Sequence, residues 1–233
     1  MMRYEIKYAL DPMGLIEFSQ WIASAAYFRR AYSRRGVHSV YFDTAEMGSA
    51  RDNLSGIGVR NKFRVRWYSD VNGKEVFASA KPKFEIKSKQ GRLGTKYDRV
   101  LETIDGSRIH TEDGNQLTNE LRKELAANPW RDLPVSIDVL NANLLVEYER
   151  DYYVGPGDVR VTIDHNVTYG DVMSNTHSRL IGQNAYSKAI VEFKFSPNYK
   201  DQAAELMSTL PFYPVRNSKY LTGLSLFGHA VYL

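Results

Sequence analysis

Lys62, Arg64 and Arg66 stand two residues apart in NKFRVRWY (residues 61–68) and alternate with Phe63, Val65 and Trp67. In an extended strand, successive side chains point to opposite faces, so one face here is apolar and the other carries three cations. Like charges in a row repel; water can screen them, or an anion can collect them. The layout recurs. RYEIKY sets Arg3, Glu5 and Lys7 on one face, and FEIKSK sets Glu85, Lys87 and Lys89. VRVTID sets Arg160, Thr162 and Asp164 opposite Val159, Val161 and Ile163, and IVEFKF sets Glu192 and Lys194 opposite Val191, Phe193 and Phe195. A single strand of this kind is ordinary, because an antiparallel sheet commonly has one wet side. Five of them, with glutamates repeatedly two residues from a basic side chain, suggest a lining. If the sheet closes with that face inward, the charges are too costly to bury without ligands. Water, a divalent metal and a polyanion inside would offset the cost. Carboxylates suit Mg2+ or Mn2+, and Lys and Arg suit phosphate oxygens.

The elements that would position these residues follow from periodicity. Residues 2–9 alternate and predict a strand. Residues 12–32 predict a helix, with Pro12 in its first turn and Leu15, Phe18, Ile22 and Ala25 at helical spacing. HSVYFDT (38–44) reads as a second strand, followed by a loop through GSARDNLSGIG. Strands are expected over 60–69 and 76–90, around a turn marked by Asn72-Gly73. The segment 91–115 is polar and reads as loop, and 115–127 as a helix ended by Asn128-Pro129. A hairpin is expected over 144–154 and 159–169 around Gly155-Pro156-Gly157, then a strand at 189–196 and helices at 199–209 and 218–229. Ser218 reads as the N-cap of the last helix. Glu147 and Glu149 share one face and Tyr148 and Arg150 the other, and alternation leaves open which set points inward. With no repeat and no linker, a single antiparallel, β-rich α+β domain over residues 1–233 is the economical reading.

Bulk composition narrows the classes. The chain has 43% hydrophobic and 25% charged residues, a net charge of +4 and a pI near 9.1, a mild basic excess. It has no cysteine, which excludes disulfides, thiolate metal sites and cysteine nucleophiles. No apolar run approaches the roughly 20 residues of a membrane span. The alternating, charged N-terminus does not read as a signal peptide, so a cytoplasmic protein is expected. The histidines at 38, 110, 165, 177 and 229 show no ligand spacing, and no phosphate-binding G-x-x-x-x-G-K occurs.

Seven motifs in order, RYEIKY (3–8), VYFDT (40–44), KFRVRWY (62–68), EIKSK (85–89), RVTID (160–164), VEFKF (191–195) and SKY (218–220), resemble those of the triphosphate tunnel metalloenzymes. Within that CYTH-like superfamily they resemble the VTC domain, the polyphosphate polymerase domain. The sibling CYTH enzymes open on Glu-x-Glu-x-Lys, whereas this chain has Arg3-x-Glu5-x-Lys7, which favours the VTC branch.

The resemblance implies an eight-stranded antiparallel β-barrel tunnel with flanking helices. Its phosphate-binding residues would be Lys7, Lys62, Arg64, Arg66, Lys87 and Arg160, with Lys89 and Lys194 as further candidates. Glu192 would be the first metal ligand, for Mn2+ or Mg2+, helped by Glu5 and Glu85. Lys219 would cap the tunnel near the transferred phosphate, so the catalytic pair is Lys219 and Glu192. The implied activity is a metal-dependent phosphotransferase that moves the γ-phosphate of ATP onto inorganic polyphosphate. The alternatives are an inorganic or nucleoside triphosphatase of the same fold and a non-catalytic polyphosphate-binding module. Nucleic acid is not an expected partner, because the cations sit on a barrel face without exposed stacking aromatics beside them. In eukaryotic relatives the domain belongs to a membrane complex, so a membrane-associated partner is left open. Removing Arg64 or Arg66 is expected to leave the empty protein as stable as before, or more so, since each relieves like-charge repulsion.

Overall fold

Phe63, Val65 and Trp67 are at most 2% exposed, on the opposite face of their strand from the cations. That split is repeated around the whole sheet. The structure, a computed structural model, describes residues 3–71, 81–91, 93–109, 114–130, 133–173 and 184–229. The strands are β1 (Tyr4–Leu10), β2 (Arg29–Asp43), β3 (Val59–Ser69), β4 (Lys83–Gln90), β5 (Leu93–Val100), β6 (Asn141–Val154), β7 (Arg160–Asp171), the two-residue β8 (Asn184–Ala185) and β9 (Ala189–Phe195). The helices are α1 (Pro12–Ser24), α2 (Gly48–Leu54), α3 (Gly106–Ile109), α4 (Gly114–Ala127), α5 (Lys200–Ser208) and α6 (Lys219–Leu226).

The eight long strands form one antiparallel sheet in the order β1-β9-β7-β6-β2-β3-β4-β5, and β8 pairs with β7. Among the described residues, its two edges meet at one bridge. Arg3 and Gly94 exchange backbone hydrogen bonds of 3.4 and 3.2 Å. The wall therefore curls almost shut into a tunnel. Contacts between strands that are not neighbours, such as Arg66 of β3 to Tyr148 of β6 at 2.9 Å, put the charged faces on its inside.

Two apolar cores lie outside the wall. Phe42, Phe63, Trp67, Phe84 and Ile86 pack against Ile109 of α3 and Leu117, Leu121 and Leu125 of α4. Tyr8, Val161, Val191 and Phe193 pack against Phe18 and Ile22 of α1 and Ala203 of α5. A third cluster lies on the charged side. Tyr220, Leu221 and Leu224 of α6 meet Tyr41, Leu144, Val146, Tyr148 and Tyr169, so α6 plugs one end of the tunnel. The plug depends on Gly223, where an added Cβ would lie 2.5 Å from Leu144 and 2.6 Å from Tyr169. Overpacking of this kind costs about 1–3 kcal/mol. Gly223→Ala is expected to lower the melting temperature by roughly 2–4 °C for each kcal/mol, which a thermal melt would read.

Several boundaries differ from expectation. The helix expected over 12–32 ends at Ser24, and Arg29 already begins a 15-residue strand. Its helical spacing stops at Ala25, whose N–H caps Trp21; the arginine-rich stretch beyond pairs with β6 instead. Residues 48–54, expected as loop, form α2 because the Asp43 carboxylate accepts the N–H groups of Ser49 and Ala50 at 2.9 and 3.0 Å. Part of the expected loop 91–115 is strand β5, paired with β4 through a turn at Gly91 (φ 59°). As an edge strand with half its residues exposed and none buried, β5 has no buried face to mark it. The strand expected from residue 76 is described only from Lys83, and the Asn72-Gly73 turn, His110 and His177 lie outside the described residues. The hairpin, the C-terminal strand and the last helices stand as expected within a few residues. No helix among the described residues is long and apolar enough to cross a membrane.

Candidate functional site

Strand register sets the lining. Lys7 lies opposite Glu192, Glu5 opposite Lys194, Arg64 opposite Glu85, Thr162 opposite Glu192 and Arg150 opposite Asp164. Each antiparallel pair places its two side chains about 5 Å apart on one face, so Lys7, Lys194, Arg64 and Arg150 gain a carboxylate by topology alone. Lys87 donates to both oxygens of Glu5 at 2.7 and 2.8 Å. Arg64 donates to Glu85 at 2.6 and 2.8 Å and to the Tyr41 hydroxyl at 3.2 Å, and Lys96 reaches Glu85 at 3.0 Å. Lys194 lies 3.0 Å from Glu192, and Lys7 lies 3.8 Å from it. Burial opposes the ionised form of both glutamates, yet neighbouring cations hold Glu85 and Glu192 well below the usual carboxylate range.

Among the described residues, Arg66 and Lys62 line the tunnel without such a partner. Arg66, 7% exposed, donates only to hydroxyls, Ser39 at 3.0 Å and Tyr148 at 2.9 Å. Lys62 donates to the Ser218 hydroxyl at 2.7 Å. Burial, reinforced by Lys7, Lys87, Arg60 and Lys89, pushes the Lys62 ammonium well below the ordinary lysine value. A cation held among cations is a high-energy arrangement that a bound anion would relieve. The two arginines expected to behave alike thus differ. Removing Arg66 leaves two neutral hydroxyls and takes away one of the charges acting on Glu85, whereas removing Arg64 strips Glu85, 2% exposed, of its hydrogen-bonded arginine. The expectation of unchanged or raised stability therefore does not carry over to Arg64: Arg64→Ala should lower the stability of the empty protein.

At the plugged end, Asn217, Ser218 and Lys219 enter the lining together. Lys7 donates to the Asn217 carbonyl oxygen at 3.0 Å. Ser218 caps α6, its hydroxyl accepting the Leu221 N–H. Lys219 donates to Asp164, which also receives Arg150 through two hydrogen bonds of 2.5 and 2.8 Å. The ammonium of Lys219 sits 4.8 Å above the Tyr148 ring. The remaining candidates lie nearer the margins. Arg160 is about half exposed, 3.4 Å from Asp158, and Lys89 continues the face of β4 beyond Lys87.

A divalent ion finds a suitable donor at Glu192. Its Oε1 is buried without a hydrogen-bond partner, as is the hydroxyl of the adjacent Thr162. Glu5 lies close enough that the two carboxylates repel. Among the described residues no three Asp, Glu or His side chains gather as a cage. The donor set therefore suits Mg2+ or Mn2+ bound by one or two carboxylates with the remaining positions left to phosphate oxygens and water. Glu85 is already committed to Arg64 and Lys96.

Sequence reasoning left Tyr148 and Arg150 undecided and missed Lys96. Both faces of β6 are polar there: outside the tunnel, Glu147 meets His38 at 2.7 Å and Glu149 meets Arg34 at 3.6 Å. Alternation alone could not say which side was which.

The sequence matches the family described as the VTC domain over residues 2–227. No curated protein matches the chain. Among solved structures, a Hippeastrum protein described in terms of adenylyl cyclase and a dominant triphosphatase activity is similar, with a TM-score of 0.53 at 16% identity, over 97% of this chain and 96% of that one. An adenylate cyclase-like protein of Vibrio parahaemolyticus has a TM-score of 0.52 at 10% identity, over 97% and 98% of the two chains. A Pyrococcus horikoshii protein has a TM-score of 0.52 at 12% identity, with the same coverage. At these identities the likeness is one of fold.

Proposed function

The chain belongs to the VTC domain family, and on that premise we propose that it is a metal-dependent phosphotransferase that moves the γ-phosphoryl group of ATP onto a polyphosphate chain inside the tunnel. The observation that carries this reading is that, among the described residues, Lys62 and Arg66 are held inside the lining by hydroxyls and have no carboxylate partner. A polyphosphate ligand supplies the missing negative charge.

Phosphoryl transfer asks mainly for positioning and charge neutralisation. Arg64, Arg66, Lys62 and Lys87 would hold the nucleotide phosphates, and Lys219 and Arg150 would face the group in transit. The bond between the γ-phosphorus and the bridging oxygen breaks, and a bond forms to a terminal oxygen of the chain. ADP leaves with the bridging oxygen. That acceptor oxygen is already ionised, so no strong side-chain base is needed. Glu192 and Glu5 would hold the divalent ion, which when bound offsets charge on the phosphate oxygens.

Hydrolysis of tripolyphosphate or a nucleoside triphosphate is the second reading. The same lining would neutralise the same leaving group with water as acceptor, and the Hippeastrum structure described with triphosphatase activity has this fold. Incubation with ATP and Mn2+ or Mg2+, with products separated by size, tests both. Long polyphosphate with ADP is expected. Free phosphate with ADP would select hydrolysis, and the absence of any phosphate-containing product would sink both readings.

A further inference from the structure

We propose that Asp164 is a positioning residue: one buried carboxylate on β7 holds Arg150 and Lys219 side by side, so that both face the phosphoryl group being transferred. This role presupposes the phosphoryl-transfer reading above and assigns a task to a side chain that otherwise looks like a simple ion-pair partner.

Asp164 is fully buried. Its Oδ1 accepts Arg150 Nε at 2.5 Å, and its Oδ2 accepts both an Arg150 Nη at 2.8 Å and Lys219 Nζ. Both cations also lie over one ring, Arg150 at 5.0 Å and Lys219 at 4.8 Å from the Tyr148 centroid. Carboxylate and ring together fix both heads. Lys219 is the first residue of α6, so the same contact ties the plug to the wall. The other Arg150 Nη and two of the three Lys219 N–H donors are not engaged by Asp164, which leaves donors for a phosphoryl oxygen.

Charge makes the arrangement specific. The groups that bear on Lys219 are Asp164 of β7, Arg150 of β6, Lys7 of β1 and the Tyr41 hydroxyl of β2, with Tyr148 beneath it. Burial, Arg150 and Lys7 all disfavour its ammonium form, and Asp164 favours it. Lys62 feels similar burial and similar cations but has no carboxylate, and it is displaced further down. Asp164 thus keeps Lys219 charged where an unpartnered lysine would be ready to lose its proton. Its effect on transfer is felt through Lys219 and Arg150 and needs no contact with the phosphate.

The first test uses the unaltered protein. With lysines isotopically labelled at Nζ, and Lys62→Arg and Lys219→Arg used only to assign resonances, Lys62 is expected to lose its proton at lower pH than Lys219. The reverse order would overturn the proposal. The second test is Asp164→Asn, which keeps the shape and removes the charge. Expected are a Lys219 titration moved to lower pH, a turnover at saturating triphosphate reduced about 10–100-fold, as for lost outer-shell partners, and a high-pH limb of turnover that shifts downward with Lys219. KM should change by far less. An unmoved Lys219 titration, or kcat and KM altered together with an unchanged pH profile, would show a structural carboxylate only. If Asp164→Asn does not fold, the titration order in the unaltered protein still decides. The titrations need no turnover, so they stand even if the phosphoryl-transfer reading fails, and that reading is tested separately by the product separation above.

Discussion

Glu192→Gln is expected to lower metal-dependent turnover by two or more orders of magnitude while triphosphate still binds. The substitution keeps the side-chain shape but removes the charge that a hard divalent cation requires. Losing the metal's neutralisation of the phosphate oxygens forfeits several kcal/mol, and each 1.36 kcal/mol is about tenfold in rate. Binding should persist because Lys62, Arg64, Arg66 and Lys87 are held from other strands. The empty protein should respond too, since Lys194 and Lys7 lose the carboxylate beside them. A metal titration of turnover with a parallel binding isotherm reads the effect. Near-normal activity at the same metal requirement would remove Glu192 from the metal site.

Lys62→Met is expected to raise the melting temperature of the empty protein and weaken triphosphate binding by about 10–100-fold. The loss follows from removing one hydrogen bond to a charged group, about 1.5–3 kcal/mol. The gain comes from the depressed pKa. Between its lowered folded value and the ordinary 10.5, the unfolded chain binds a proton that the folded chain does not, so stability rises with pH across that window. The penalty is fully present below the folded pKa and vanishes as pH climbs to the unfolded one. The advantage of Lys62→Met should therefore be largest below the folded pKa and shrink toward alkaline pH. Within that window binding should take up protons, because an anion beside Lys62 restores its charge; calorimetry in buffers of different ionisation enthalpy would detect this. Arg64→Ala makes the opposing control, since it should melt earlier by exposing Glu85 to burial without its arginine. A lower melting temperature for Lys62→Met would mean that the ammonium is a structural donor to Ser218 and that no anion site is needed to explain it.

Much of the molecule is local information. Alternation in β1, β3, β4, β7 and β9 marks both the wall and its charged face, because a strand next to an apolar core must keep period two. The identity of Lys7, Lys62, Arg64, Arg66, Lys87, Glu5 and Glu192 as lining residues could be read the same way, and the family followed from seven short motifs in order. β5 could not be read so: an edge strand with half its residues exposed and none buried has no apolar face to mark it. Nor could the inner face of β6, where both sides carry charges and only the contacts of Glu147 and Glu149 with His38 and Arg34 outside turn Tyr148 and Arg150 inward. Above all, the sequence by itself determined which charges exist, and only the tertiary structure decided which of them cancel. Pairing depends on register and on closure of the wall, which bring Glu5 to Lys87 across 82 positions and Asp164 to Lys219 across 55. Lys62 and Arg66 differ from Arg64, which lies between them, in the residue opposite on β4, Lys87 and Lys83 in place of Glu85, and that is a property of the folded sheet.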